Sequence, residues 1–469
     1  MNEAFPSWLE AAILTACLGA VGASTARARL RAFAWGMTFT SAAAGCALLA
    51  CVQYYWFSGP DPSVVDDWQS RFLGYRLLAL DDLSAAMVPA VALLHWVTAF
   101  ATPRARMRRF SYTWSLAALA LRLALFSCRD VRLLVALLTV EAALPCFELR
   151  AQGRSLRVYA VHLGVFALLL IVGACGLGAS STRSHWGVPV VAAAVLIRCG
   201  AIPFHCWVTD WIENASSGIG LLFVAPLSGI YALSRLVVPS ASDDLLRAIV
   251  ALGVMTAIYA GALAVVQREA RRLLAYLVIS GGALVLVGFG LHTRLSITGA
   301  LCLWFSTLLS IGGFGLAIRA LEARFGPLAL VAHRGLYDHA PTLAVCFLLT
   351  GLAGVGFPGT LGFIATELVV ESALHAGPVV GLGVVAATAL GGVAVVRAYL
   401  LLFTGARHAS PIALGIGPRE RAALLIVAAL ILGGGLFPHA GVAGRQRAAT
   451  ALLDARAALH PLPARDAGH

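Results

Sequence analysis

Apolar stretches of about 20 residues recur along almost the whole chain, and this recurrence limits the possible folds more than any other feature. A helix of that length crosses the roughly 30 Å hydrocarbon core of a bilayer. Of the 469 residues only 12% are charged, whereas soluble domains are about 25% charged. A membrane β-barrel would instead show alternating segments of about ten residues. The sequence therefore predicts an all-α polytopic membrane protein and excludes an ordinary soluble enzyme.

The pattern contains about fourteen candidate transmembrane helices. Pro203 lies in the seventh and Pro358 in the twelfth, and we expect both helices to be broken because proline removes a helical hydrogen bond. Discontinuous helices at matching places in two halves suggest inverted repeats, here of five helices each, with polar sites at the breaks. The predicted spans are 8–24, 33–52, 83–101, 112–127, 131–147, 158–178, 187–208, 218–237, 246–266, 272–291, 297–320, 343–373, 379–404 and 421–437.

These spans group into five predicted regions. Helices 1–3 occupy residues 1–110, the first repeat (helices 4–8) 111–240, and the second repeat (helices 9–13) 241–405. The last core helix lies within 406–440, and a polar, partly disordered tail follows at 441–469.

The charge pattern predicts the orientation in the membrane. The net charge is +12, and arginines cluster in the loops that follow odd-numbered spans. By the positive-inside rule these loops are cytoplasmic and both termini lie outside. We expect a multi-pass protein of the bacterial inner membrane whose basic residues reflect topology and do not bind nucleic acid.

No cofactor or metal site is predicted. The ten cysteines form no CxxC pair, so neither a zinc nor an iron–sulfur site is indicated. The sequence also contains no Walker loop, no GxGxxG that follows a predicted strand, no nucleophile elbow and no HExxH motif. We therefore expect no catalytic residues and no redox group in this chain.

The segment Arg198–Asp210 places polar residues at the end of an apolar run. A charge inside a hydrophobic span costs roughly 2.5–3.5 kcal/mol on insertion scales, so such residues face a bundle interior and mark ion or proton paths. Arg198 could pair with Glu141, which lies in another apolar run, although arginine cannot itself pass on a proton. The alternatives are a snorkelling Arg198 and a Glu141 at a helix end that touches headgroups.

Two more positions complete the predicted proton path. Glu367 and Glu371 are spaced i, i+4 in the second half of the twelfth span and share a helix face; we favour Glu367 as functional and expect Glu371 to be solvated. His205 follows Pro203 and either relays protons or caps backbone groups freed by the proline. The predicted path residues are Glu141, Arg198, His205 and Glu367.

Four stretches together resemble a known family. The chain is similar to the antiporter-like proton-translocating subunits of respiratory complex I, which are related to subunits of membrane-bound hydrogenases and of Mrp-type Na⁺/H⁺ antiporters. The likeness covers residues from about 80 to 440 and rests on the order and spacing of the stretches 198–210, 267–280, 354–367 and 417–438.

The resemblance implies a fourteen-helix core with a polar axis at mid-membrane and a coupled glutamate–lysine pair. Glu141 stands at the glutamate position and Arg198 at the lysine position. Other relay positions depart from the family pattern: no lysine or histidine lies within 221–231, and Glu367 is offset by one residue from the usual site, where Thr366 stands. Gly281 and Thr307 replace the expected histidines.

The implied function is a proton-conducting subunit of a larger NADH:quinone oxidoreductase-like complex. Partner subunits would perform the redox chemistry and contact any quinone, and the expected partners are membrane subunits, peripheral subunits and membrane lipid. One alternative is the energising membrane subunit of a CO₂ or bicarbonate uptake system with a carbonic-anhydrase-like partner. The other is a non-transporting scaffold, which the altered relay positions favour.

Overall fold

The computed structural model describes residues 7–26, 29–58, 69, 76–102, 110–177, 186–406 and 415–459. Within these ranges the regular secondary structure is helical apart from two isolated bridges. The first ten helices are α1 (Trp8–Thr25), α2 (Arg29–Gln53), α3 (Met87–Phe100), α4 (Tyr112–Ser127), α5 (Val131–Ala151), α6 (Arg157–Leu177), α7 (Gly187–Arg198), α8 (Cys206–Asn214), α9 (Ser217–Val224) and α10 (Ser228–Ala232). The others are α11 (Asp243–Val266), α12 (Ala270–Gly290), α13 (Arg294–Phe325), α14 (Pro341–Ala353), α15 (Leu361–Ala376), α16 (Pro378–Phe403), α17 (Pro418–Leu436) and α18 (His439–Leu459).

The helices have the lengths that a membrane requires. Within the described ranges, eight helical segments are long and apolar enough to cross a bilayer, and a ninth is added if the bent pair α17–α18 counts as one span. Four shorter apolar helices, α3, α4, α7 and α14, have 10–17 residues each. The chain is thus an all-α, multi-span membrane protein, as its apolar pattern predicts.

Helices α12 and α13 form the centre of the bundle. In the most apolar 18-residue stretch of each of these two helices, 94% of the residues are buried, compared with 33% in α1 and 28% in α6. A helix that is apolar all round must be covered all round. The peripheral helices leave one face to lipid or to a partner protein.

Besides the bend between α17 and α18, three helix interruptions in the described ranges contain a proline. Residues 199–205 separate α7 from α8, and residues 354–360 separate α14 from α15, where Gly356 and Gly359 have φ of +86° and +82°. Glycine adopts this left-handed region without steric strain. A third interruption, which we did not predict, lies between α9 and α10 at Pro226, beside Leu227 with φ of +48°.

The C-terminal region differs from the sequence prediction. We expected a polar, partly disordered tail after residue 440, but residues 439–459 form α18, and residues 460–469 lie outside the described ranges. Alanine-rich segments favour the helix, and α18 is fixed to the bundle by arginines. Arg445 lies over the Phe305 ring at 4.8 Å, and Arg447 pairs with Asp82 at 3.2 Å.

Candidate functional site

A buried cluster of one carboxylate and two guanidinium groups lies where α4, α5 and the end of α7 meet. The Arg122 Nε donates to Glu141 Oε1 at 3.1 Å, and an Arg198 Nη lies 3.4 Å from Glu141 Oε2. The side chains of these three residues are at most 2% exposed. We call this group the charged triad.

The position of Glu141 distinguishes the two interpretations given above, a buried partner of Arg198 and a residue at a helix end that touches headgroups. The residue lies in the middle of α5 and is 1% exposed, so it does not touch headgroups at a helix end. Arg198 is 4% exposed and contacts Glu141, so it does not snorkel to an interface. The pairing expected from the sequence is therefore present.

The break after α7 places Arg198 within the bundle. Arg198 is the last residue of the helix, and its guanidinium donates to Ser228 Oγ at 2.8 Å. The same guanidinium lies 4.5 Å from the Phe223 ring centroid and 5.3 Å from that of Trp207. Such cation–π contacts replace part of the hydration that burial removes.

Sequence reasoning missed Arg122, which lies closer to Glu141 than Arg198 does. The signal was available, because Arg122 is the one charge in the apolar run Ser115–Ser127. The rule that singled out Arg198, that a charge inside a span faces the protein interior, applies equally there. With two arginines and one glutamate, the triad carries a formal charge of +1.

His95 on α3 is a second neighbour of the triad. Arg122 Nη1 lies 3.2 Å from His95 Nε2, and His95 Nδ1 lies 3.4 Å from Ser115 Oγ. Because a guanidinium can only donate, the Nε2 accepts and the proton of the ring sits on Nδ1. His95 is thus a buried histidine with a partner for each ring nitrogen, and it positions Arg122.

Polar groups connect the triad with one end of the bundle. A cavity of about 470 Å³ opens there and is lined by Gln152, among others, and by the Arg271–Glu322 ion pair, in which Nε and Oε1 are 2.7 Å apart. Gln152 donates to Glu148, which is 6% exposed. Glu148 and Arg122 in turn line a smaller cavity of about 30 Å³.

The other predicted path residues lie elsewhere. His205 is half-buried, and its Nε2 is 3.5 Å from the Tyr259 hydroxyl, with ring contacts to Tyr259 and Tyr276 rather than to the triad. Glu367 and Glu371 are both exposed on the surface of α15. The structure therefore joins Glu141 with Arg198 but brings neither His205 nor Glu367 to them.

The second predicted break has a different chemistry. Hydroxyl residues of α13 and α15 lie beside it: a Cβ at Gly354 would be 3.4 Å from Ser310 Cβ, and one at Gly356 would be 2.8 Å from Thr366 Oγ1. On α17, a Cβ at Gly435 would lie 2.4 Å from the Gly359 carbonyl oxygen. Within the described ranges, no group of three or more His, Cys, Asp or Glu residues is placed to hold a metal ion, at this break or elsewhere.

Comparison with known proteins gives consistent matches. A family model described as NADH:quinone oxidoreductase/Mrp antiporter, transmembrane, matches residues 156–391, half of the chain. NADH-quinone oxidoreductase subunit N of Halorhodospira halophila is 29% identical over 248 residues, or 50% of this chain and 51% of that protein. The subunit N of Rhodococcus opacus is 28% identical over 284 residues, or 57% of this chain and 52% of that protein. The chain thus spans about half the length of the curated relatives that it matches.

Solved structures share the fold over nearly the whole chain. A chain of the Mrp complex from a Dietzia species superposes with a TM-score of 0.82 at 19% identity, covering 96% of this chain and 99% of that one. A chain of respiratory complex I from Thermus thermophilus gives the same TM-score and coverage at 21% identity. At such identities the likeness concerns the fold alone.

Proposed function

The chain belongs to the NADH:quinone oxidoreductase/Mrp antiporter transmembrane family, and on that premise we propose that it is a proton-conducting, antiporter-like subunit of a multisubunit membrane complex. In this proposal, partner subunits perform the redox chemistry and contact the quinone, and this chain moves protons without a redox group of its own. The relatives named above are subunits of an NADH-quinone oxidoreductase, which supports the assignment.

The charged triad is the observation that carries the proposal. Burying charge in a membrane protein is expensive, and such groups mark ion or proton paths by default. Within the triad, Glu141 is the group that takes up and releases a proton, because arginine stays charged. Arg122 and Arg198 balance the carboxylate and hold it in place.

We propose that protons reach Glu141 from the large cavity at one end of the bundle. Gln152 lines that cavity and donates to Glu148, and Glu148 shares a small cavity with Arg122. This sequence of polar groups ends at Glu141, the hydrogen-bond partner of Arg122. Glu148 then becomes a path residue that the sequence prediction did not include.

The exposed carboxylate of Glu367 supports the multisubunit part of the proposal. Glu367 lies on α15 among exposed apolar side chains such as Phe363, and Glu371 follows one turn later. A carboxylate facing hydrocarbon is unfavourable, so we assign this face to a neighbouring subunit. Glu367, together with the half-buried His205 elsewhere on the chain, would then serve the proton path through that neighbour.

We further propose the topology that the arginine pattern predicts. Fourteen spans would form two inverted repeats of five helices within 111–240 and 241–405, after three helices in 1–110 and before a last core helix in 406–440. The basic loops would face the cytoplasm, both chain ends would lie outside the bacterial inner membrane, and α18 would lie on the outer side, packed against the bundle.

The test is a purification of the tagged protein with its natural partners, followed by proton-transport measurements on the purified complex in vesicles. Glu141→Gln should abolish coupled proton transport, because glutamine keeps the shape of the side chain but cannot carry a proton. Asp244→Asn, at a carboxylate whose side chain is 88% exposed, is the control and should transport protons like the wild type. Unchanged transport in Glu141→Gln would refute the assignment of Glu141.

Mass spectrometry of the purified complex tests the partners. Iron–sulfur or flavin subunits would support a redox-driven complex. A zinc-binding soluble partner without redox subunits would instead indicate inorganic-carbon uptake. A complete redox complex that pumps equally well with Glu141→Gln and Arg198→Met, with both variants assembled, would indicate a scaffold.

A further inference from the structure

A small chamber lies between α12, α13, α14 and α16. Its volume is about 20 Å³, and an internal cavity needs about 10–15 Å³ to hold one water molecule. The residues that line it, all within the described ranges, include no ionisable side chain. Four hydroxyl residues line the chamber: Ser280, Thr307, Thr350 and Thr388.

The hydrogen bonds of these hydroxyls leave places for a further partner. Ser280 Oγ donates to the Ala257 carbonyl at 3.0 Å, and Thr350 Oγ1 donates to that of Cys346 at 2.6 Å. Both oxygens keep lone pairs that can accept. Thr307 is 2% exposed, and its Oγ1 has no hydrogen-bond partner in the described part of the chain.

More unpartnered hydroxyls continue from the chamber toward the break after α14. Ser306 and Ser310 on α13 are 0% and 1% exposed, and their Oγ atoms, like Thr366 Oγ1 on α15, have no partner among the described residues. A Cβ on Gly362 would lie 3.0 Å from Ser306 Oγ, and one on Gly356 would lie 2.8 Å from Thr366 Oγ1. The hydroxyls thus face the residues at the break.

A buried hydroxyl without a hydrogen-bond partner destabilises the folded protein, and the destabilisation is larger with four such hydroxyls in one region. We propose that ordered water occupies the chamber and bonds to Thr307, and that further water satisfies Ser306, Ser310 and Thr366. A sodium ion is disfavoured, since the lining holds no carboxylate and an uncompensated charge buried in low dielectric is far costlier than a neutral ligand.

The chamber has a role in conduction that rests on the proposed function. A hydroxyl that receives the excess proton of a hydronium ion forms one O–H bond and releases its own proton to the next oxygen. The hydronium becomes water, the hydroxyl ends neutral, and the charge moves on with the proton. Protons would cross this part of the chain through hydroxyls and water, without an ionisable side chain. The water site itself does not depend on transport.

The site can be tested on the full-length protein by X-ray radiolysis followed by mass spectrometry, which labels side chains next to bound water. Phe314 and Ile311 line the chamber and are 1% and 5% exposed. Their controls are Phe289 and Ile297, both 0% exposed and outside the lining. We expect several-fold stronger labelling of Phe314 and Ile311; equal labelling of the two sets would overturn the proposal.

Two pairs of variants sharpen the test. Thr307→Val removes the unpartnered hydroxyl at nearly constant volume and should reduce the labelling of Phe314. The control is Thr298→Val, because the Thr298 hydroxyl already donates to the Arg294 carbonyl at 2.7 Å. This variant should leave the labelling of Phe314 unchanged. Gly281→Ala would place a Cβ 3.2 Å from Thr307 Cγ2 at the chamber, whereas Gly282→Ala would meet only Leu227, at 3.5 Å.

Gly281→Ala should therefore lower the labelling and Gly282→Ala should leave it unchanged; the same labelling in both would argue against bound water. Labelling that changes when choline replaces sodium would identify an ion and overturn the proposal of water.

A measurement of proton flux separates the proposed water site from the proposed proton-conducting function. Phe314 labelling in a wild-type complex that moves no protons would support the water site while refuting the proposed function.

Discussion

The two predicted helix breaks contain different kinds of buried polar group, charged at one break and neutral at the other. At the end of α7, Arg198 joins Arg122 around Glu141, and fixed charges compensate each other at 3.1 and 3.4 Å. At the break between α14 and α15 the polar groups are neutral hydroxyls, several of them without a protein partner. The first region is polar because of charge, and the second because of hydrogen-bonding capacity.

Because of this difference, we expect mutations to change the stability of the two regions for different reasons. A buried charge interacts strongly with its surroundings, so losing one member changes the energy of all the others. A hydroxyl that bonds to water can be replaced by an apolar group of the same shape with little loss. Stability should therefore depend on charge balance in the first region and on packing in the second.

Glu141→Gln should have the largest effect. The change leaves Arg122 and Arg198 buried without a counter-charge, and removing one partner of a buried pair costs about 3–5 kcal/mol. Arg122→Met leaves a balanced pair of Glu141 and Arg198 and should cost less, about 1.5–3 kcal/mol for the lost charged hydrogen bonds. The free energy of unfolding, measured by titrating SDS into mild-detergent micelles, checks this order.

Glu371→Gln serves as the control for detergent and charge effects, since Glu371 is exposed. It should unfold at the same SDS fraction as the wild type. If Arg122→Met proved more harmful than Glu141→Gln, the balance of charge would not govern the first region.

Gly435→Ala should disturb the second region by a steric effect. The added Cβ would lie 2.4 Å from the Gly359 carbonyl oxygen and 2.7 Å from Thr360 Cα. Because both contacts are to backbone, the break itself must shift, and overpacking of this kind costs about 1–3 kcal/mol. The same SDS titration measures the loss.

Gly433→Ala is the matched control on α17, because no atom lies within 4 Å of its added Cβ. Alanine there should be neutral or stabilising by up to about 1 kcal/mol, the difference in helix propensity. Equal destabilisation by both substitutions would mean that the close approach of α17 to the break contributes nothing.

The comparison also explains which features could be predicted from the sequence. Charges in apolar runs are strong signals, and the pairing of Glu141 with Arg198 was predicted correctly; Arg122 followed the same rule and was overlooked. The prolines Pro203 and Pro358 predicted two of the helix breaks, but the break at Pro226 was not predicted. The hydroxyls of Ser306 and Ser310 gave no signal, because serine in a helix usually bonds to its own backbone.

The surface position of Glu367 could not be predicted either. Periodicity shows that Glu367 and Glu371 share a face, but not whether that face points inward, since both faces of α15 carry apolar residues. The helix α18 was missed because its polarity was given more weight than its alanine content. Tertiary contacts such as Arg445 over Phe305 are not encoded in local composition.

Arg447→Ala should have the smallest effect and tests whether burial, rather than ion pairing itself, makes the triad important. Arg447 pairs with Asp82 at 3.2 Å, as close as the triad contacts, but its side chain is 57% exposed. Exposed pairs contribute about 0.2–1 kcal/mol. A double-mutant cycle with Asp82→Ala isolates this coupling energy, which should shrink further in high salt. A coupling as large as that lost in Arg122→Met would show that pairing distance alone sets the energy, and the contrast between the two breaks would then lose its electrostatic basis.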